Sequence, residues 1–355
     1  MESAIPTDPV ACIALALAPF GAAPIGLAVS GGVDSMVLLE AFAVAHAGGR
    51  VGGRGYLLHV EHGLRADGAT DLAFVQSEAT RRGLVCVFTR VDVRRSAERQ
   101  GGNIEDLART ARYRFFANAA QALGLAAILT AHHKDDQIET IAFRLERGAG
   151  LRGLSGIEAS RPLDGAPEAR LVRPLLEIGR REIETWARQE GLEWRVDPTN
   201  ADVGFRRNAL RHEVLPSARA GEQNAGSTVD ARLLDLARTA RELDRRTSAA
   251  AGAWIAGHAI RHRGLGFSLR AWRALPRSVA HRVLEEWCRA QGALRWSATP
   301  RVFGAIYDPR GAVQDVPRDL GLGLRLVIDP RSPELMTRIE RCGDEKTRRA
   351  EAGRV

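Results

Sequence analysis

The sequence predicts an α/β protein: a parallel sheet with helices on both faces, followed by a second, mainly helical domain. Three observations support this. Short β-rich runs alternate with longer amphipathic segments through the first half. A Gly-Gly turn joins the first strand to the first long amphipathic helix. A small, polar, glycine-bearing stretch then separates this half from two long helical patterns.

The elements follow in order. Val10 to Phe20 is an apolar run preceded by Glu2 and Asp8, with no basic segment before it, so it reads as a first helix and not as a secretion signal. Strands are expected at Ile25–Val29, Tyr56–Val60, Val85–Val91 and Ala127–Thr130, with helices near Met36–Ala45, Thr70–Arg82 and Ile104–Leu123. Strands separated by helices of this length pair in parallel, because a parallel pair needs a long crossover. Arg170–Leu176 supplies a further strand candidate and Glu182–Gln189 a helix. Ser217–Thr228 (SARAGEQNAGST) suits a linker, and Val229–Ile260 and Ser278–Ala290 are helical patterns beyond it. Arg341–Val355 is charged and poorly apolar, which predicts a disordered tail. The expected organisation is a first domain over 1–217, a linker over 218–228, a helical domain over 229–340 and a tail over 341–355.

Composition narrows the class. The chain has 355 residues, 45% hydrophobic and 26% charged, enough to bury a core, and no stretch is apolar and long enough to span a bilayer. Its formal charge is +8 and its pI about 10.1, which favours a polyanionic partner. Nearly all the cations are arginine, since the only lysines are Lys134 and Lys346. Cys12, Cys86, Cys288 and Cys342 are scattered without a CxxC pair, which argues against a disulfide framework or zinc site and fits a reducing cytoplasm.

The strongest local signal is the run from Gly26 to Leu39, in which an apolar strand enters Ser30-Gly31-Gly32-Val33-Asp34-Ser35 and an apolar helix follows at once. Glycines let the backbone turn tightly and approach a ligand. Successive N–H groups and the helix N-terminus then make an anion site. Ser30 and Ser35 can donate to phosphate oxygens, whereas Asp34 would repel phosphate unless it holds a cation such as Mg²⁺. A plain strand–turn–helix with Asp34 or Ser35 as cap is the alternative, but it does not require the whole SGGxDS pattern. The loop is neither GK[ST]-type nor a GxGxxG fingerprint.

Four more segments carry chemistry. The second strand ends in His59-Val60-Glu61-His62-Gly63-Leu64-Arg65, and Asn103-Ile104-Glu105-Asp106-Leu107-Ala108-Arg109 leads to Arg112-Tyr113. The fourth strand is followed by Thr130-Ala131-His132-His133-Lys134-Asp135-Asp136-Gln137-Ile138-Glu139-Thr140, then Arg147-Gly148-Ala149-Gly150-Leu151. Asp197-Pro198-Thr199-Asn200 precedes Phe205-Arg206-Arg207-Asn208-Ala209-Leu210-Arg211 and Pro216. His132, Asp135, Asp136 and Glu139 are spaced to share one face of a short helix; dipole-complementing acids in its first turn are the alternative for Asp135 and Asp136, but capping does not require the two adjacent histidines. Glu105, Arg109 and Arg112 fall on one helical face, as a surface ion-pair ladder or as charge beside a nucleotide.

The SGGxDS loop resembles that of the PP-loop ATP pyrophosphatases. With Arg173-Pro174-Leu175-Leu176, the ordered set from about Ile25 to Pro216 resembles the tRNA(Ile)-lysidine synthetase family. The resemblance implies a Rossmann-like PP-loop domain, of the adenine nucleotide alpha hydrolase type, that binds ATP and Mg²⁺. It implies ligation of free L-lysine to C2 of the wobble cytidine of tRNA(Ile) with a CAU anticodon, through an adenylated cytidine. ATP would be held by Ser30, Gly31, Gly32, Val33, Asp34, Ser35 and His62, though His59 and His62 read equally as satisfied strand-end histidines. The metal would be held by Asp34, Asp135 and Asp136, and the catalytic set would be Asp34, Glu105, Arg109, Arg112, His132, His133, Asp136 and Glu139. Arg206, Arg207, Asn208 and Arg211 would contact tRNA phosphates, with the helical domain as the main RNA-binding portion. The family setting implies a cytoplasmic enzyme without membrane association; the sequence leaves a homodimer open. The rivals are a tRNA thiolation enzyme, for which the expected cysteine pair is absent, a small-molecule amide ligase, which has no need of the basic second half, and a non-catalytic RNA-binding protein with a relic loop.

Overall fold

The structure is a computed structural model that describes residues 7–63, 68–100, 103–196, 210–220, 228–258, 260–261, 265–290, 303–304, 307, 319–321, 324–328 and 336–341. The chain forms two compact units, Met1–Arg238 and Thr239–Val355.

In the first unit, α1 (Pro9–Leu17) is capped by Asp8, whose carboxylate accepts from the backbone N of Ala11 at 3.0 Å. β1 (Ile25–Ala28) then runs into α2 (Val33–Ala47). β2 (Gly55–Glu61), α3 (Gly68–Arg81), β3 (Val85–Arg90), α4 (Val93–Gln100), α5 (Ile104–Leu123) and β4 (Ala127–Leu129) continue the alternation. α6 (Lys134–Glu146) and the single turn α7 (Leu151–Leu154) precede β5 (Ser160–Leu163) and β6 (Ala166–Val172), and α8 (Arg180–Gln189) follows. A π-helical turn, Leu210–Val214, leads into α9 (Leu215–Ala220).

The sheet order is β3-β2-β1-β4-β6-β5, with β5 antiparallel to β6 and every other pairing parallel. Ile25 of β1 is in register with Gly55 of β2 on one side and Ala127 of β4 on the other. The chain winds outward from β1 to β3 and then returns to lay β4 on the opposite side of β1. The carboxyl ends of β1 and β4 therefore face a topological switch point, where open α/β sheets place ligands. The hairpin strand β5 was not among the strand expectations, because Ser160-Arg161-Pro162-Leu163 is short and contains a proline.

α2 is buried on several sides (Met36, Val37, Leu38, Leu39, Ala41, Phe42 and Ala45) because α1 and α8 both pack on it beside the sheet. Each fully buried large side chain there contributes about 1.5–3 kcal/mol. Arg82 joins α2 to the end of α3, donating from Nε to Glu40 Oε2 at 2.7 Å and from Nη1 to the buried Glu78 Oε2 at 2.6 Å. This holds α3 along α2, the helix that leaves the glycine turn.

The second unit holds the expected helices. They are most of α10 (Val229–His258), within which the two units divide, and α12 (Arg277–Ala290); the short α11 (Leu269–Arg273) between them was not expected. It also holds a five-stranded antiparallel sheet of β7 (Ile260–Arg261), β8 (Leu265–Ser268), β9 (Asp319–Gly321), β10 (Leu324–Ile328) and β11 (Met336–Arg341), in the order β7-β8-β11-β10-β9. Its core gathers Phe267, Trp272, Trp287 and Phe303, and the Trp272 indole N–H donates to the Ala280 carbonyl at 2.9 Å.

Candidate active site

A cavity of about 560 Å³ opens at the switch point of the first unit. Its floor is the loop after β1. Gly31 has φ +91°, a conformation open to glycine, and the backbone N–H groups of Ser30 and Gly31 both donate to Ser35 Oγ, at 3.2 and 3.1 Å. Ser35 Oγ in turn donates to the Gly32 carbonyl at 2.8 Å, so the loop is shaped by its own serine. Gly32 caps α2, whose N-terminal dipole points into the cavity mouth. Ser30, Gly32, Val33, Asp34 and Ser35 line the space, whereas Gly31 does not.

Asp34 is the polar focus. Its Oδ1 is buried without a hydrogen-bond partner, and Arg180 Nη1 lies 3.7 Å from Oδ2. Burial pushes its carboxyl above the usual carboxylate value, although His133 and Arg180 pull the other way. His133 is 1% exposed, with Nε2 3.8 Å from Asp34 Oδ1 and 3.5 Å from Asp136 Oδ2, and Nδ1 3.8 Å from Asp135 Oδ2. A buried imidazole thus sits among three carboxylates.

The acidic segment resolves into different tasks. α6 begins at Lys134, so His132 precedes the helix, and its Nδ1 pairs with Thr130 Oγ1 at 2.9 Å. Asp136 lines the cavity and accepts from the His133 backbone N at 3.1 Å. Asp135 turns the other way and accepts from the backbone N of Arg180 at 2.8 Å, capping α8. Lys134 and Asp135 do not line the cavity. Glu139 is buried under it and pairs with Arg211, whose Nε lies 3.1 Å from Oε1; Arg211 itself lines the space.

The opposite wall comes from β2 and α5. His59 Nδ1 pairs with the Val29 carbonyl at 2.9 Å, making it the satisfied strand-end histidine. His62 Nδ1 is buried without a partner, and burial, reinforced by Arg112 and His59, holds its pKa down to about 4. His62 is therefore neutral at physiological pH. Arg112 and Tyr113 line the cavity, whereas Arg109 stacks over the Tyr113 ring with its guanidinium 4.8 Å from the centroid. Burial, with Arg109 beside it, lowers the Arg112 pKa, although the residue keeps much of its surface open to the cavity. The Glu105 side chain, Arg206, Arg207, Asn208 and the segment Asp197–Asn200 lie outside the described residues.

Several lining residues carried no motif. Arg195 donates its backbone N–H to the Gly31 carbonyl at 2.9 Å and reaches Asp71 of α3 with Nε 3.3 Å from Oδ1, tying the segment after α8 to the phosphate loop. Arg180 opens α8, where a cation opposes the helix dipole; that conflict is the one signal that could have marked it in the sequence.

A cation fits this donor set. Asp34, whose buried Oδ1 has no hydrogen-bond partner, and Asp136 both line the cavity beside the phosphate loop. Among the described residues, no three His, Cys, Asp or Glu side chains form a ready-made cage. That suits Mg²⁺, which takes one or two carboxylates and completes its shell with phosphate and water.

The parallel sheet with its switch point, and a self-bonded SGGxDS loop at the N-terminus of α2, define a PP-loop domain. The profile of that domain family matches residues 10–218. A tRNA(Ile)-lysidine synthase of Salinispora tropica is 41% identical over 285 residues, covering 80% of this chain and 81% of that one. One of Pseudomonas fluorescens is 42% identical over 196 residues, 55% of this chain and 42% of that longer protein. The solved U34-tRNA thiolase NcsA from Methanococcus maripaludis shares the fold, with TM-score 0.52, 11% identity, and coverage of 66% of this chain and 78% of that one. This chain belongs to the tRNA(Ile)-lysidine synthase family. It is a ligase of the PP-loop class, and no helix among the described residues is long and apolar enough to cross a membrane.

Proposed function

We propose that the protein joins free lysine to C2 of the wobble cytidine of a tRNA(Ile) with a CAU anticodon, using ATP. One observation carries the reading. A single cavity joins the phosphate loop and its unpartnered Asp34 oxygen to Asp136 on one wall and Arg112 and Tyr113 on the other. A triphosphate, a cationic amine and a nucleotide find complementary groups there.

The serine-shaped loop and the α2 N-terminus take the phosphates. The cytidine C2 oxygen attacks the α-phosphate and pyrophosphate leaves. The lysine Nε then attacks C2, and AMP departs with the former C2 oxygen. Asp34 and Asp136 would hold Mg²⁺, which supplies charge neutralisation on the phosphates when bound. Arg112 and Arg211 line the space where negative charge develops, Asp136 offers its carboxylate to the amine, and Glu139 acts through Arg211, which it pairs with. The ammonium must lose a proton before attack, and His132, which pairs with Thr130, or His133 among its carboxylates would receive it. Arg206, Arg207 and Asn208 would meet tRNA phosphates, and the unit after Arg238 would supply the rest of the RNA-binding surface.

The test is incorporation of labelled lysine into bulk tRNA by purified protein with ATP and Mg²⁺, followed by nuclease digestion. Label on a cytidine, dependent on ATP and lost in Asp34→Ala, is the expected result. AMP release with another acceptor and no lysine label would move the protein elsewhere among PP-loop enzymes.

A further inference from the structure

Beside the cavity, three arginines converge on one phenol. Arg109 Nη2 lies 3.4 Å from the Tyr113 hydroxyl, and the charges of Arg161 and Arg173 bear on that same group. Arg109 and Arg161 also present their guanidinium groups to the Tyr113 ring, 4.8 and 5.4 Å from its centroid. A phenol oxygen has fewer lone pairs than it has guanidinium neighbours here, so the cluster carries an excess of donors.

The nearby acceptors do not remove the excess. Arg161 Nη1 lies 3.0 Å from the Pro162 carbonyl and 3.1 Å from Asp164, a carboxylate 81% exposed and therefore weakly bound. Arg173 is 5% exposed and donates from Nη1 to the Glu158 carbonyl, yet its Nε is buried without a partner. Burial alone would raise the Tyr113 pKa, but the three cations outweigh it and the hydroxyl lies below its ordinary value. Like charges gathered on one ring are stable together when an anion joins them.

Tyr113 lines the cavity, whereas Arg109 and Arg161 stand outside its wall. The phosphate loop lies elsewhere in the same cavity, so a nucleoside triphosphate seated there leaves this cluster free. We propose that Arg109, Arg161 and Tyr113, braced from below by Arg173, form a second phosphate site that holds a phosphodiester of the tRNA next to the nucleotide entering the cavity. Guanidinium groups suit this task because they bind phosphate bidentately and stack on an aromatic face at once. The inference rests on the tRNA-modifying reading and assigns residues to its RNA path.

The experiment measures binding of tRNA(Ile) transcript against salt concentration, with Mg-ATP binding measured in parallel. Arg161→Gln is expected to weaken tRNA binding several-fold and to reduce the slope of log K against log salt by about 1. Mg-ATP affinity should stay unchanged. Arg161→Lys should restore most of the slope, because a phosphate contact accepts a point charge and a merely structural brace does not. An unchanged slope in Arg161→Gln overturns the site. Weakened Mg-ATP with unchanged tRNA binding overturns it as well, since the phosphate would then be that of the nucleotide. Failure of the parent protein to bind any tRNA would overturn the proposed function together with this site.

Discussion

Asp135 and Asp136 are adjacent and divide the work: Asp135 Oδ2 accepts from the Arg180 backbone N at 2.8 Å and caps α8, while Asp136 lines the ligand cavity. Helical neighbours point about 100° apart, so a pair of acids in one motif serves two different structures.

Asparagine retains an acceptor but removes the charge, so it separates the two tasks. Asp135→Asn should keep near-parental turnover, and Asp135→Ala should lower stability by about 1 kcal/mol through the lost cap. Asp136→Asn should fold normally, keeping its bond to the His133 backbone, and lose most AMP release. Denaturant unfolding and an AMP assay read both, and collapse of turnover in Asp135→Asn would make the cap a secondary role.

Asp34→Asn should abolish turnover and stabilise the protein. The folded protein holds the Asp34 proton more tightly than the unfolded chain, because burial raises its pKa. Stability therefore falls as pH rises from the ordinary carboxylate value, about 4, through the raised one. The amide has no such penalty, so its advantage grows as pH rises above about 4 and vanishes near pH 4. Equal melting temperatures for the two proteins at pH 7 and pH 4 would contradict this.

Gly31 and Gly32 should fail differently when replaced by alanine. Gly31 needs φ +91°, so Gly31→Ala should cost about 1–2 kcal/mol of folding stability. Gly32 has φ −74°, and an added Cβ would meet only Ser30 Oγ at 3.7 Å. Gly32→Ala should leave the melting temperature alone and weaken Mg-ATP binding at least tenfold, because only a bound phosphate needs that space. Calorimetric titration decides it; retained ATP affinity would remove Gly32 from the phosphate cradle.

His62 should make the protein acid-sensitive. Its pKa is about 4 in the folded chain, against 6.5 ordinarily, so the unfolded chain binds more protons between those values. Stability is full above pH 6.5 and declines as pH falls towards 4, by at most about 1.4 kcal/mol per pH unit. His62→Gln should flatten that decline. Denaturant midpoints at pH 7 and pH 5 measure it, and an unaltered difference between the two pH values would assign the acid sensitivity to other groups.

Much of the first unit was legible because its signals are local. Ile25, Leu27, Leu57 and Leu129 lie in short β-rich runs, and α5 begins and ends at Ile104 and Leu123, where its amphipathic pattern does. The glycines and serines of the phosphate loop are legible for the same reason: backbone torsion and hydroxyl reach are properties of a few consecutive residues. Tertiary structure alone decided the rest. β5 exists because β6 offers it an edge, and the two-residue β7 because β8 does; neither has a pattern long enough to read. Arg180 reached Asp34, Arg195 reached the phosphate loop, and Arg161 and Arg173 reached Tyr113 only through the crossing of strands far apart in the chain. Spacing can show which side chains share a helix face. Which of them find a partner across the cavity is set by where the sheet places that face, and no repeat of 2 or 3.6 residues encodes it.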